Sequence, residues 1–478
     1  MHKPYTNYYL HSLVIFAYMD IKPHLIVITA LLIQSCAMPI NEIATPIATP
    51  ETFSQSGESA HQEHWWLAFN DPQLNQLIHS ALSNNFSLLS AYNRLEQAQA
   101  VAQKTSADLI PSISAVFTGG QNYSSNQDNS QFSLGLNASY EVDLWGRIRA
   151  NRNASDLDVR VVQENLNTAA ISLSAEVAIA WYRLIEQRSQ LALLKQQIKT
   201  NEDNVDIVTS RFAGGQATAA DVFQQRQTLQ ARIGDQTTVI ATIKTLEYQL
   251  AILTGNTPTM LVLPEQNQLP DLPVQPQTGL SSDFIQRRPD LRSAYFRVQA
   301  ADQRTAAAIA DRFPKLSLSA NINTTAPNLQ SLFNNWIATL AGNLIMPIVD
   351  GGRRVAEVER NRAVAAEALN NYATALQQAI QEVEDALIQE QQQEQLIISL
   401  AKQHQLSEQA TLQIRLRYMY GAMDFLRVLT TQVNQQSLER SQILAKRQLL
   451  EYRIQLYRAL AGSWELNTLA INKENTDA

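Results

Sequence analysis

Two periods alternate along this chain. From Phe132 to Leu144 the apolar residues Phe132, Leu134, Leu136, Ala138, Tyr140, Val142 and Leu144 alternate with Ser133, Gly135, Asn137, Ser139, Glu141 and Asp143. Period two over thirteen residues predicts a β-strand with one apolar and one polar face. The shorter alternation SISAVF precedes it across the polar stretch TGGQNYSSNQDNSQ, so a hairpin is predicted over about 112–145. At about 3.3 Å per residue the long strand spans roughly 43 Å, the reach of a membrane strand with lipid on one face and water on the other. From Arg147 the period becomes helical. Leu166, Leu173, Val177, Ala180, Leu184, Leu191, Leu194 and Ile198 step by three, four or seven, predicting one helix over about 147–212. At 1.5 Å per residue it is about 99 Å long. Gly214-Gly215 ends it, and a return helix is predicted over about 219–253.

The same order recurs. Residues 61–254 read as helix, ending near Asp108 before Pro111, then hairpin, long helix and return helix. Residues 255–280 hold five prolines and read as a linker. Residues 281–463 repeat the scheme, with a helix from Asp283 to Arg312, a hairpin over about 315–349, and helices over about 354–419 and 423–460. Residues 464–478 are left as a tail.

Identities support the repeat. SLLSAYNR (87–94) matches DLRSAYFR (290–297), and Pro111 matches Pro314, all at an offset of 203. Gly146/Gly352, Arg211/Arg417, Gly215/Gly421 and Val222/Val428 lie at an offset of 206, so three extra residues fall between Pro314 and Gly352. Two hairpins supply four strands, too few to enclose a lumen, and an open strand edge finds no hydrogen-bond partners in lipid. The chain must therefore associate. Three copies give a 12-strand barrel; two would give a barrel filled by its own side chains.

Composition fits long helices: Gln, Ala and Leu abound, while only 15 Gly and 16 Pro occur in 478 residues. A net charge of −7 excludes a general nucleic-acid binder. The one cysteine, Cys36, follows the apolar run LIVITALLIQS, too short to span a membrane but long enough for a signal-peptide core. Ile33-Gln34-Ser35-Cys36 resembles a lipobox, which makes 1–35 a signal peptide, Cys36 a lipidation site and 36–60 a flexible tether. Met19 is an alternative start. No later stretch offers 18 uncharged apolar residues, so no transmembrane helix is expected in the mature chain.

RRPDLRSAYFRVQAADQRTAAAIADRFPKLSLSA (287–320), MPIVDGGRR (346–354), YEVDLWGRIRA (140–150) and the WW…DPQLNQLI opening (65–78) resemble the TolC/OprM family of outer-membrane efflux ducts, in its NodT-like lipoprotein branch. The resemblance covers about 61–463 and implies an α+β membrane protein. It also implies a homotrimer whose 12-strand outer-membrane barrel continues into a periplasmic α-helical barrel. A periplasmic adaptor (membrane fusion) protein and an inner-membrane pump are the implied partners, beside outer-membrane lipid, and no catalysis is expected. Export of drugs or other small molecules is the expectation. A protein-secretion duct and a structural coiled-coil envelope lipoprotein are the alternatives.

Enzyme chemistry is not legible. His2, His11, His24 and His404 are scattered, and His61-x-x-His64 with Glu63 reads as a solvated face. The Gly-Gly pairs at 119, 214 and 351 lack the residues of a phosphate loop, so no cofactor or metal is expected. Two groups of channel residues are expected instead. Glu141 and Asp143, on the polar face of the long strand, would form acidic lumen rings under threefold symmetry, or pair with Arg147 or Arg149. In the family the helix after the second turn commonly carries acids in a VDVLDA-like stretch that lines the constriction. Here LRVLTT (426–431) puts Arg427 and Thr430 there, with Asp424 three residues before Arg427. Asp221 is the repeat equivalent of Arg427, at an offset of 206. Asp221, Asp424 and Arg427 are the expected gate residues, with Asp221 and Arg427 pairing within or between protomers.

Overall fold

The computed structural model describes residues 47, 50–58, 64–123, 129–278 and 281–462. The expected signal peptide, Cys36, His2, His11, His24, His61, Glu63 and the tail lie outside them. After a 3-10 turn at Trp65–Phe69 come α1 (Pro72–Asn84), α2 (Phe86–Ser106), β1 (Ser112–Asn122), β2 (Asn129–Val142), α3 (Arg147–Ala213) and α4 (Ala219–Leu253). The second set is α5 (Ser281–Arg287), α6 (Pro289–Ala310), β3 (Lys315–Ala326), β4 (Trp336–Ile345), α7 (Arg353–Met419) and α8 (Phe425–Leu460).

Local chemistry places the boundaries. Asp71 caps α1, accepting from the N–H of Gln73 and Leu74 at 3.0 and 3.1 Å, with Pro72 preset for a first helical turn. Asn85 both breaks α1 from α2 and caps α2 through Ser87 and Leu88. The helix expected over 283–312 is two: Arg288 sits at φ −75°, ψ 119° because the following Pro289 disfavours helical backbone at the preceding residue. Gly146 and Gly352 open the two long helices at φ 76° and 82°, left-handed values that tolerate no Cβ without strain.

The four strands form one antiparallel sheet in the order β1-β2-β3-β4. Ser112 pairs with Ser139 in the first hairpin, and Lys315 with Ile345 in the second. Shifting Ser112 by 203 gives Lys315, and shifting Ser139 by 206 gives Ile345. The second hairpin is therefore the first in register, and its three extra residues all lie in the connection between strands. β1 and β4 are the two edges, each hydrogen-bonded on one side only.

α3 is the spine: it packs against α1, α2, α4, α6 and α8. Its middle buries Trp181, Tyr182, Leu184 and Ile185 against Trp65, Phe69 and Tyr457, and Asp71 accepts from the Trp181 indole N–H at 2.9 Å. An 18-residue window of α3 reaches a mean hydropathy of 1.2, and 67% of it is buried, so its apolar character belongs to this core. Residues 50–58, expected within a flexible tether, instead lie on the second repeat. Phe53 is buried edge-on to Phe284 at 5.3 Å, and Ser54 donates to Glu384. The linker is likewise fastened: Leu261, Leu263, Leu269 and Leu272 pack on the core, and Thr278 donates to the Gln55 carbonyl at 3.0 Å.

Candidate functional site

The sheet offers a polar face. Strand pairing puts Ser112, Ser114 and Thr118 beside Ser139, Asn137 and Ser133, and these beside Ser319, Asn321 and Thr325; Ser317 lies beside Glu141. Hydroxyls meet across the strands: Ser112 and Ser139 lie 2.8 Å apart, and Thr118 contacts Ser133. The opposite face carries Ile113, Phe117, Leu134, Leu136, Leu316, Leu318, Ile322, Leu340 and Leu344. Among described strand residues, Glu141 and Lys315 are the charges on the polar face, both at the helix end of the sheet. Each is compensated, Glu141 by Arg147 at 2.8 Å and Lys315 by Asp311 at 2.6 Å.

Asp143 is not on the strand. β2 ends at Val142, and the Asp143 carboxylate caps α3, accepting from the backbone N–H of Ile148 at 2.9 Å and of Arg149 at 3.0 Å. The Arg149 guanidinium adds an ion pair at 3.1 Å. Burial raises this carboxyl's pKa, but the two backbone donors and the guanidinium outweigh it, so it lies below the usual carboxylate range. The second repeat uses Asp350 in the same way, accepting from Gly352 N–H at 3.1 Å and pairing with Arg354 at 3.1 Å. Arg354 also reaches Asp311 at 3.0 Å. A staple joins the repeats here: Trp145 stacks on Phe313 at 4.9 Å and donates its indole N–H to the Pro314 carbonyl at 2.8 Å. The strand–helix junction is thus a belt of capped, paired charges. Asp311, Asp350, Arg354 and Trp145 were not singled out from sequence. For Trp145, Asp350 and Arg354 the signal is the acid two or three residues before the left-handed glycine, as in DLWGR and DGGRR; Asp311, in DRFPK, has no such mark.

At the far end of the long helices, Gly215 and Gly421 make the turns at φ 71° and 72°. Asp221 closes a capping box with Thr218: its carboxylate accepts from Thr218 N–H at 2.8 Å, and Thr218 Oγ1 accepts from Asp221 N–H at 3.2 Å. Asp424 caps α8 through the Arg427 N–H at 3.0 Å. No ion pair joins Asp221 to Arg427 within the chain, and the Arg427 side chain is exposed. The intrachain form of the expected pair is therefore replaced by two helix caps. What joins the two turns is Arg211 over the Tyr418 ring at 4.5 Å, above an apolar cluster of Val208, Val222, Phe425, Val428 and Leu429. Beside it lies a cavity of about 530 Å³ lined by Val208, Arg211, Arg415, Tyr418, Met419 and Phe425.

A sheet with one apolar and one hydroxyl-lined face, feeding two 67-residue helices, is channel geometry. The outer membrane efflux protein family profile matches residues 77–256 and 280–462, one repeat each. The chain belongs to the outer membrane efflux protein family. It is 29% identical over 469 residues to the pyoverdine export outer membrane protein OpmQ of Pseudomonas aeruginosa, covering 94% of this chain and 98% of the relative. The toluene efflux pump outer membrane protein TtgC of Pseudomonas putida is 30% identical, covering 88% and 90%. The solved outer-membrane channel OprN superposes with a TM-score of 0.80 at 26% identity, over 87% of this chain and 98% of that one. This efflux protein is accordingly an outer-membrane exit duct of a pump, a passive channel and not an enzyme.

Proposed function

We propose that three copies of this efflux protein close one 12-strand barrel and one helical sheath, and that the duct exports small organic molecules. The observation that carries this reading is the four-stranded sheet with two open edges. In lipid each unpaired N–H and C=O would cost several kcal/mol, so the edges must meet another copy. Two long helices per copy then give six rods around a common axis. The exposed turns at Gly215 and Gly421 are the surface offered to a periplasmic adaptor, which hands on cargo from an inner-membrane pump. Small-molecule cargo is favoured over secreted protein because OpmQ and TtgC are named for export of pyoverdine and toluene. Cys36, after its apolar run, is proposed to carry acyl chains that add about 0.8 kcal/mol of anchoring per buried CH₂.

The test is drug and dye accumulation in a host lacking its own exit duct, with this protein and its adaptor and pump supplied. Lower accumulation supports the reading. Unchanged accumulation together with release of a protein substrate overturns it in favour of a secretion duct. Light scattering that gives a monomer removes the barrel. Intact mass of the purified chain decides Cys36: acylated protein of 443 residues (478 − 35) is expected, and a mass without acyl chains refutes lipidation.

A further inference from the structure

The cavity between the two turns has a chemistry that neither the channel wall nor the helix caps use. It has a volume of about 530 Å³ and lies where the last turns of α3 and α7 meet the start of α8. Cavities that hold small molecules measure about 300–1,000 Å³ and combine mostly apolar walls with a few convergent polar groups. Here Ile207, Val208, Met419, Phe425 and Val428 are the apolar wall. The polar groups are Arg211 of the first repeat and Arg415 and Tyr418 of the second, with Asn204, Asp206 and Ser210 beside them. Their bonding is unfinished. Arg211 lies over the Tyr418 ring, 4.5 Å from its centroid, near the hydroxyl but not aligned to bond it. Tyr418 is only 9% exposed, and its hydroxyl and the Arg211 Nε are buried with no hydrogen-bond partner among the described residues. Buried polar atoms are normally paired, so two unpaired donors beside one cavity ask for an occupant. Water would satisfy the donors but not the charges. Arg415 is exposed and makes no ion pair among the described residues. The acids of the two turns are used elsewhere, Asp221 by Thr218 and Asp424 by the Arg427 N–H. Asp206, exposed on the rim, offsets one of the two guanidinium groups, so the lining keeps a net positive charge.

We propose that this cavity is a binding site for a small organic anion with an apolar or aromatic body. The carboxylate of such a ligand accepts from the Tyr418 hydroxyl and the Arg211 Nε and pairs with Arg415, while its body lies against Val208, Phe425 and Val428. Hydrogen bonds from guanidinium to carboxylate are charge-assisted and stronger than neutral ones, which favours an acid over its amide. Burial raises the Tyr418 pKa, so the hydroxyl keeps its proton at neutral pH and remains a donor. A bound acid thereby joins α3 of the first repeat to α7 of the second at their turns. One chain supplies every residue of the site, so the proposal does not rest on the trimeric reading above.

The test is equilibrium dialysis of 1-naphthylacetate against the full-length protein in phosphatidylcholine nanodiscs, with empty nanodiscs as background. Uncharged 1-naphthylacetamide and cationic 1-naphthylmethylamine are the comparison probes. We expect the acid to bind about tenfold more tightly than either. Arg415→Gln should weaken the acid severalfold and leave the amide unchanged, and Tyr418→Phe should also weaken the acid severalfold. Arg417→Gln is the control for surface charge, since Arg417 is exposed on the same turn of α7 but does not line the cavity; it should leave the acid's affinity unchanged. Amide exchange with the acid bound should slow over 207–211 and 415–419 and stay as it was in α6. Equal binding of acid and amide overturns the anion specificity. Tighter binding of the amine assigns the cavity to Asp206 and overturns the proposal. Equal weakening by Arg417→Gln and Arg415→Gln reduces the effect to surface charge and overturns it too. No binding of the acid, or protection away from the tip, overturns the site and leaves the duct reading standing.

Discussion

Arg453 grips Glu390 with two hydrogen bonds, Nε to Oε2 at 2.7 Å and Nη2 to Oε1 at 2.6 Å, with the side chains only 3% and 5% exposed. The pair ties α8 to α7, and the remaining Arg453 nitrogen donates to the Pro273 carbonyl of the linker. In the first repeat the equivalent of Glu390 is Leu184, fully buried in the apolar core, and the equivalent of Arg453 is Glu247, which pairs instead with Arg188 at 3.1 Å, a more exposed pair. A buried pair gains little over packed hydrophobic residues, but breaking it leaves a charge without solvent or partner. Arg453→Leu alone should destabilise the fold by about 3–5 kcal/mol, and Arg453→Leu/Glu390→Leu should recover most of that loss. Thermal unfolding in detergent, followed by circular dichroism, checks both variants. Equal midpoints for the single and double variants refute the account.

The Asp143 cap gives the strand–helix junction an acid limit. Its folded pKa is depressed, burial being outweighed by the donors from Arg149 and Ile148. The unfolded value is about 3.9. A depressed carboxyl contributes stability that is present above the unfolded pKa and is lost as pH falls through the folded one. Asp311 adds in the same direction: burial raises its pKa, but Lys315 and Arg354 more than offset it. Amide exchange at Ile148 and Arg149 should therefore be slow at pH 7 and accelerate below about pH 4 relative to the middle of α3. Asp143→Asn should show the fast exchange already at pH 7. Protection that does not change between pH 7 and 3 in the parent would sink the cap's role.

Much of this architecture was legible in the sequence because it rests on period and on glycine. The heptad steps read to Phe212, and α3 ends one residue later at Ala213. The alternation from Phe132 marks the strand, and the offsets of 203 and 206 carried enough information to place the extra residues once both hairpin registers were known. Less legible were features set by tertiary partners. Alternation alone put Asp143 on the strand, because a capping carboxylate and a lumen carboxylate look alike until the helix N-terminus is located. Residues 50–58 have tether composition, yet Phe53 finds Phe284. Asp221 and Arg427 hold equivalent positions in the repeats. What repeat symmetry did not disclose is that Thr218 lies three residues before Asp221 and occupies its carboxylate.

The pairing of Glu141 with Arg147 fixes the sign of a conductance test. The pair is neutral, so the parent's polar strand face carries no net charge there. Glu141→Gln leaves Arg147 uncompensated, and in a trimer three such guanidinium groups ring the junction. Planar-bilayer reversal potentials in a salt gradient should shift toward anion preference for Glu141→Gln and return toward the parent for Glu141→Gln/Arg147→Gln. A shift toward cations, or none, refutes the placement of this pair at the pore wall.

The tips carry the last prediction. Asp221 caps its own helix, so a latch with Arg427 requires the carboxylate to serve both its own cap and a neighbouring protomer's exposed guanidinium. One exposed pair contributes about 0–1 kcal/mol, and three symmetric pairs acting together can still bias a two-state constriction. Losing the cap alone costs about 0.5–2 kcal/mol, so Asp221→Ala has two effects that must be separated. Thr218→Ala removes the hydroxyl half of the cap and leaves the carboxylate, while Arg427→Ala removes the partner and leaves the cap. Single-channel conductance of the isolated trimer should rise severalfold for Asp221→Ala and Arg427→Ala and stay near the parent for Thr218→Ala. Asp221→Arg/Arg427→Asp should restore low conductance. If Thr218→Ala opens the channel as far as Asp221→Ala while Arg427→Ala does not, the helix cap governs the tip. Arg211 on Tyr418, the pair that already joins the two turns within one chain, then becomes the residue contact that holds it shut.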